Sequence, residues 1–203
     1  MNPQNSQTPL DYLNGIAPQA PKKRAFQFNL RTIALLGIIA IVIIIVISSI
    51  SGAISGGKKE PWERLSARLA TLAVITEESG DKIKNSQLRS LNSDLKLYVT
   101  NTQRDIAAPL GRANVDPLKL SANVIAAENS EAINARLEDG RLNAKYDSTY
   151  SREMTYLLAT NLTLLQQLYA SSGNPETLTF LKTAYDNLQP IYTAVSEFSA
   201  SNE

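Results

Sequence analysis

The acids on helical stretches, Glu63, Asp94, Asp147 and Asp186, are the residues of this chain with the most obvious chemical capacity. Carboxylates projected from four helices into one core could bind a pair of metal ions. Bundles that do so also draw Glu-x-x-His from two of their helices, and this sequence has no His. That absence removes the commonest general base and the commonest transition-metal ligand. Cys is absent too, so disulfides, thiolate metal sites and an acylated cysteine are ruled out. The spacing gives no reason for the four acids to converge, and solvated acids are the expectation. Nucleophilic catalysis needs a base beside a Ser or Thr, but Ser and Lys are scattered without a motif, and there is no Gly-rich phosphate loop. Asn161-Leu162-Thr163 matches a glycosylation sequon inside a predicted helix and is read as chance. The sequence therefore predicts no enzyme activity and no cofactor. Asp147 stands out among the polar residues, and a helix-surface acid or a structural bond from it to neighbouring backbone is the expectation.

The elements that carry these residues are helical. Pro61 suits a first helical turn, and Trp62, Leu65, Leu69, Leu72 and Thr76 form one stripe before Ser79-Gly80 stops the helix. A second segment starts near Asp81 and presents Leu88, Leu91, Leu95, Tyr98, Thr102 and Ile106. Pro109, Gly111 and Pro117 break the chain, with Asp116-Pro117 reading as the cap and first turn of a short helix. A third long segment spans about 131–170, with Gly140 marking a break. Its later half carries Tyr146, Tyr150, Met154, Leu158, Leu162, Leu165 and Tyr169. Asn174-Pro175-Glu176 opens the last helix with a cap, a proline and an acid. Leu178, Leu181, Tyr185, Leu188, Tyr192 and Val195 then form a near-heptad seam, with a kink expected at Pro190. No segment alternates like a strand. The fold class expected for 61–200 is all-α, an antiparallel four-helix bundle.

The N-terminal quarter is different. From Ile33 to Ile47 there is no polar side chain, and the stretch on to Ile54 is about 33 Å long as a helix, enough for a ~30 Å hydrocarbon core. Residues 32–54 are predicted to form a single transmembrane helix. Ser51 and Ala53 would suit a signal-peptide cleavage site, but the run exceeds a usual signal core and the preceding tail is long. That tail, 1–31, holds four of the nine prolines and has a disordered composition. It carries Lys22, Lys23, Arg24 and Arg31 against the single acid Asp11. A short basic tail stays in the cytoplasm while long domains cross regardless of charge, so the domain is expected outside. Leu10, Leu13 and Ile16 form a candidate docking stripe within the tail. Residues 55–60 are a Gly-containing spacer. The remaining 16 of 20 bases and 18 of 19 acids lie from Lys58 onward, and a weakly acidic domain is a poor nucleic-acid binder.

Tyr146-Asp147-Ser148-Thr149-Tyr150, followed by Met154, resembles the start of the third long helix in a ferritin-like four-helix domain of unknown function found in bacterial envelope proteins. That family shows aromatic-Asp-x-x-Tyr, a Met four residues on, and a Leu-Pro in its last helix, approximated here by Leu188-Gln189-Pro190. Tyr146, Asp147, Tyr150 and Met154 are the motif positions the resemblance implies. The family has His about four residues after that Met and again in the last helix, where Leu158 and Val195 stand here. The resemblance therefore implies the fold without metal chemistry. The resulting expectation is a single-pass membrane protein of the bacterial cell envelope, non-enzymatic, with the lipid bilayer and an envelope protein as partners. An extracytoplasmic ligand-sensing bundle working through a separate membrane partner is the alternative.

Overall fold

The computed structural model describes residues 59–201. The tail with Leu10, Leu13 and Ile16 and the apolar segment 32–54 lie outside the described residues. Among those described, no helix is long and apolar enough to cross a membrane.

The described chain is all-helical. Four long helices carry the architecture: α1 (Glu60–Ser79), α2 (Ser86–Asp105), α6 (Tyr146–Ser171) and α7 (Pro175–Ser201). Three short ones, α3 (Ala107–Arg112), α4 (Ala122–Glu128) and α5 (Glu131–Leu142), occupy the connection between α2 and α6. Around the bundle the order is α1, α2, α7, α6.

Contacts fix the directions. The Asn92 amide of α2 reaches the Thr76 carbonyl of α1 at 3.0 Å, and Lys96 meets Glu77 at 2.5 Å, so α1 and α2 are antiparallel. Tyr146 of α6 pairs with Ser79, whereas Arg68, lower on α1, donates to the Thr160 carbonyl. α6 is therefore antiparallel to α1. A three-residue link turns α6 into α7. All neighbours are antiparallel, and α2 and α6, on one diagonal, run the same way. That arrangement requires a connection along the full bundle, and 106–145 supplies it.

The crossover climbs the α1–α6 side. Ser121 donates to the Glu63 carboxylate at 2.6 Å, near the start of α1. One helix later, Glu128 accepts from Arg64 and Arg68 at 2.9 Å, and Thr71 donates to the Glu128 carbonyl. Higher still, Arg136 makes a two-pronged pair with the buried Glu153 of α6 at 2.8 and 2.9 Å. Gly140 then packs directly on Thr149, where an added Cβ would lie 2.5 Å from the hydroxyl. Gly140 is thus not a break. It lies inside α5 and permits a close helix–helix approach. The break falls at 143–145, where Ala144 takes a left-handed φ of 57°.

The core follows the α1 stripe closely: Trp62, Leu65, Leu69, Leu72 and Thr76 are all buried. α2 begins five residues later than the pattern suggests, at Ser86, capped by Asn85 through the Leu88 amide at 3.1 Å. α7 opens as expected, with Asn174 accepting from the Thr177 amide at 2.9 Å. Its buried seam is Thr177, Leu181, Ala184, Leu188, Ile191, Val195 and Phe198. The predicted seam residues Tyr185 and Tyr192 flank it, half-buried, with the Tyr185 hydroxyl accepting from Gln166 at 3.2 Å. Tyr169 is exposed rather than core. Pro190 sits on an exposed position of an uninterrupted α7, so the missing N–H costs one hydrogen bond without ending the helix. Asp116 starts a turn rather than a helix, its carboxylate accepting from the Leu118 amide at 3.0 Å.

Candidate functional site

The two ends of the bundle differ. Call the end where α1 begins at Glu60 the entry end, and the end where α1 turns into α2 the turn end. The motif residues lie at or near the turn end, and three of them fasten the α1–α2 connection.

α6 begins at Tyr146, so its first turns sit against the end of α1. Tyr146 is buried and donates to the Ser79 hydroxyl at 2.8 Å. Asp147, one residue round, accepts from the backbone amides of Lys84 and Asn85 at 3.0 and 2.7 Å. These amides immediately precede α2, where the helix dipole also favours an acid. Tyr150, one turn deeper and about 1% exposed, donates to the Asn92 Oδ1 at 2.5 Å. Asn92 passes the bond on through its Nδ2 to the Thr76 carbonyl at 3.0 Å. Thr76 provides one of the last four carbonyls of α1, which no later turn of that helix can satisfy. Tyr146 and Tyr150 stack with centroids 6.3 Å apart and planes 13° from parallel. Met154 continues the stripe, fully buried in the core. Of the two roles open to it, surface acid or backbone partner, Asp147 takes the second, but with a segment 62 residues away in sequence.

Burial raises the phenol pKa of both tyrosines above the ordinary value. For Tyr146 the Ser79 bond opposes that rise without cancelling it. Both rings are therefore neutral hydrogen-bond donors, unsuited to act as bases at neutral pH.

Above the Tyr146–Ser79 bond lies a half-open cleft of about 180 Å³. Glu78, Ser79 and Lys82 form one wall, Asn134, Leu137 and Glu138 of α5 the other, with Tyr146 at the floor. Glu138 is held by Arg141 through bonds of 2.6 and 2.7 Å, and these keep its carboxyl below the usual range. The cleft is half-open and of mixed polarity, of a size for waters or a small solute.

The four acids singled out by type do not meet. Glu63 is buried at the entry end against Ser121, Asp147 is at the turn end, Asp94 is exposed, and Asp186 pairs with Lys182 on the α7 surface. Among the described residues, no cluster of three or more His, Cys, Asp or Glu is placed to hold a metal ion.

Sequence reasoning gave no bonding role to Asn92, Ser79 or Asn161. Asn92 and Asn161 both carried a signal, as lone amides on otherwise apolar helical stripes. Asn161 is fully buried; its Nδ2 donates to the Leu157 carbonyl at 2.9 Å and its Oδ1 has no partner. Glu128 and Glu153, which hold the crossover, carried none, because their partners are remote in sequence.

No family model, curated protein or solved structure matches the chain.

Proposed function

We propose that this chain is a membrane-tethered, non-enzymatic interaction or scaffold module of the bacterial cell envelope. In this reading residues 1–31 are a cytoplasmic tail, 32–54 a membrane helix, 55–60 a spacer, and the bundle is displayed outside. The observation that carries it is how the polar groups of the bundle are used. Tyr146, Tyr150, Asn92, Glu128 and Glu153 are each engaged in bonds between helices, and Asp147 in bonds to the α1–α2 connection. The antiparallel bundle with one long crossover supports the ferritin-like resemblance, since ferritin-like folds share that connectivity. The bilayer and an envelope protein remain the proposed partners.

The test is protease digestion of intact and lysed cells expressing the chain with a tag after Glu203. Loss of the tag in intact cells is expected. Protection until lysis would overturn the orientation and with it the envelope role.

The cleft over Tyr146 favours a second reading, a ligand-sensing bundle that signals through a separate membrane partner. A thermal-shift screen of small polar solutes tests it. A shift abolished by Tyr146→Phe would support sensing, and no shift across the screen would remove it.

A further inference from the structure

The entry end of the bundle carries features that neither the core nor the latch explains. The crossover makes a turn there at 116–119, pinned on both sides. Val115 before it is buried in the core, and Ser121 after it is bonded to Glu63. Asp116 closes the turn, accepting the Leu118 amide on its carboxylate and the Lys119 amide at 3.0 Å on its carbonyl. The result is a fixed tip bearing Leu118, which is 92% exposed. Ordinary surface leucines are partly covered by neighbours, whereas this one projects from a braced turn. Tyr169, in the last turn of α6, lies at the same end, exposed by nearly half. The antiparallel register places it there: Arg68 of α1 is level with Thr160, so the start of α1 is level with the end of α6.

The chain outside the described residues says what lies opposite this end. Only Ser55, Gly56, Gly57, Lys58 and Lys59 separate Ile54, the end of the apolar run, from Glu60. Fully extended, they reach about 20 Å. α1 alone is about 30 Å long. A bilayer entered at Ile54 therefore faces the entry end, and the tether keeps the two surfaces at high effective concentration.

We propose that this end rests on the lipid surface, with Leu118 inserted at the headgroup–acyl boundary and Tyr169 at interfacial depth. The proposal rests on the reading of 32–54 as a membrane anchor. The chemistry of the end fits lipid. A Leu at a fixed tip gains by leaving water without ordering a loop, and Tyr favours the interface, where its ring and hydroxyl find different media. Lys59 and Lys119 stand exposed at this end, each 3.8 Å from an acid of the chain, Glu63 and Asp116, with stems that can lie along apolar surface. The acids of this end are already matched: Glu60 by Arg64, Asp105 by Arg104, Asp116 by Lys119 and Glu176 by Arg112. They set no uncompensated negative field against the headgroups.

The absence of Cys makes the test clean. Full chain bearing Leu118→Cys or, as a control, Leu142→Cys is spin-labelled and reconstituted into phosphatidylcholine–phosphatidylglycerol vesicles. Leu142 is also a largely exposed leucine but lies near the turn end, and neither substitution touches the core. Collision rates with oxygen and with a polar nickel chelate are then compared. The expected result is oxygen-favoured collisions at 118 and chelate-favoured collisions at 142. Chelate-favoured collisions at 118 in protein that co-floats with vesicles would overturn the lipid contact while leaving the anchor intact. A label shielded from both reagents would also overturn it, pointing to a second copy or another protein at the site. Failure to co-float would overturn the anchor itself, and the proposal with it.

Discussion

Removing the Tyr150 hydroxyl should cost far more than one exposed hydrogen bond, because its partner cannot turn to water. Asn92 is 3% exposed, and its Oδ1 accepts only from Tyr150, at 2.5 Å. Tyr150→Phe leaves that acceptor buried and unpaired, which costs about 1–3 kcal/mol. Asn92→Leu suits an α2 core position and helix propensity. It strands two groups, the Tyr150 hydroxyl and the Thr76 carbonyl, so about 2–4 kcal/mol is expected. The double variant strands only Thr76. It should therefore be less destabilised than the two single costs added, by a coupling of about 2–4 kcal/mol, the cost of the two groups no longer stranded. Urea melts of the full chain in detergent, followed by circular dichroism at 222 nm, measure all four corners of the cycle. Additivity within about 0.5 kcal/mol, the behaviour of independent sites, would refute the relay and reduce the motif to two unconnected core residues.

The remaining predictions probe other joints. Gly140→Ala places a Cβ 2.9 Å from the Thr149 Cβ, so a loss of about 1–3 kcal/mol is expected; Thr149→Ser should not rescue it in the same melts, since the carbon–carbon contact persists. Leu181→Ala, at a site 1% exposed on the α7 seam, should cost about 2–5 kcal/mol, and a cost near zero would misplace that face. Native Tyr146 and Tyr150 stay neutral where unfolded tyrosines ionise, because burial raises their pKa values. Their contribution to stability is thus intact below pH 10 and declines above it, and Tyr146→Phe/Tyr150→Phe should flatten the decline in melts from pH 8 to 11. Asn161→Leu removes an acceptor with no partner and keeps the branched shape with the same number of side-chain heavy atoms, so a gain of about 1–2 kcal/mol is expected; a loss would indicate a bound water or solute at the Oδ1, or no room for the larger methyl groups.

What could be read from the sequence was whatever local chemistry decides. The α1 stripe, the Ser79-Gly80 stop and the Asn174 cap depend on residues within a turn or two of each other, and each appears as expected. The start of α2 was misplaced because 80–85 is held as a turn by Asp147, 62 residues beyond Asn85. Gly140 looked like a breaker because its purpose, room for Thr149, exists only once α5 is laid on α6. The α7 seam was drawn through Tyr185 and Tyr192 because large residues dominate a hydrophobic pattern. The true seam passes through Ala184 and Thr177, small residues that let α7 pack closely. The spacing of Tyr146, Asp147 and Tyr150 was visible, but their partners Ser79, Lys84, Asn85 and Asn92 were not, since a hydrogen bond between helices leaves no mark in either helix alone.

Polar bonds are unevenly shared among the helices, and the pattern bears on how the domain is held. α1 is gripped along its whole length: Glu63 by Ser121, Arg64 and Arg68 by Glu128, Arg68 also by the Thr160 carbonyl, Thr76 by Asn92, and Ser79 by Tyr146. The α6–α7 seam is closed almost wholly by apolar side chains, with Gln166–Tyr185 at its rim. Burial of apolar surface is strong but non-directional, and it tolerates one helix sliding on another. Buried hydrogen bonds and two-pronged ion pairs do not, because a shift of one residue leaves several groups unpaired at once. α1 is also the helix that begins five residues after the apolar run ends. Register is thus most tightly specified on the element through which any pull from the N-terminal side would enter the bundle, whereas the seam between α6 and α7 is held mainly by burial.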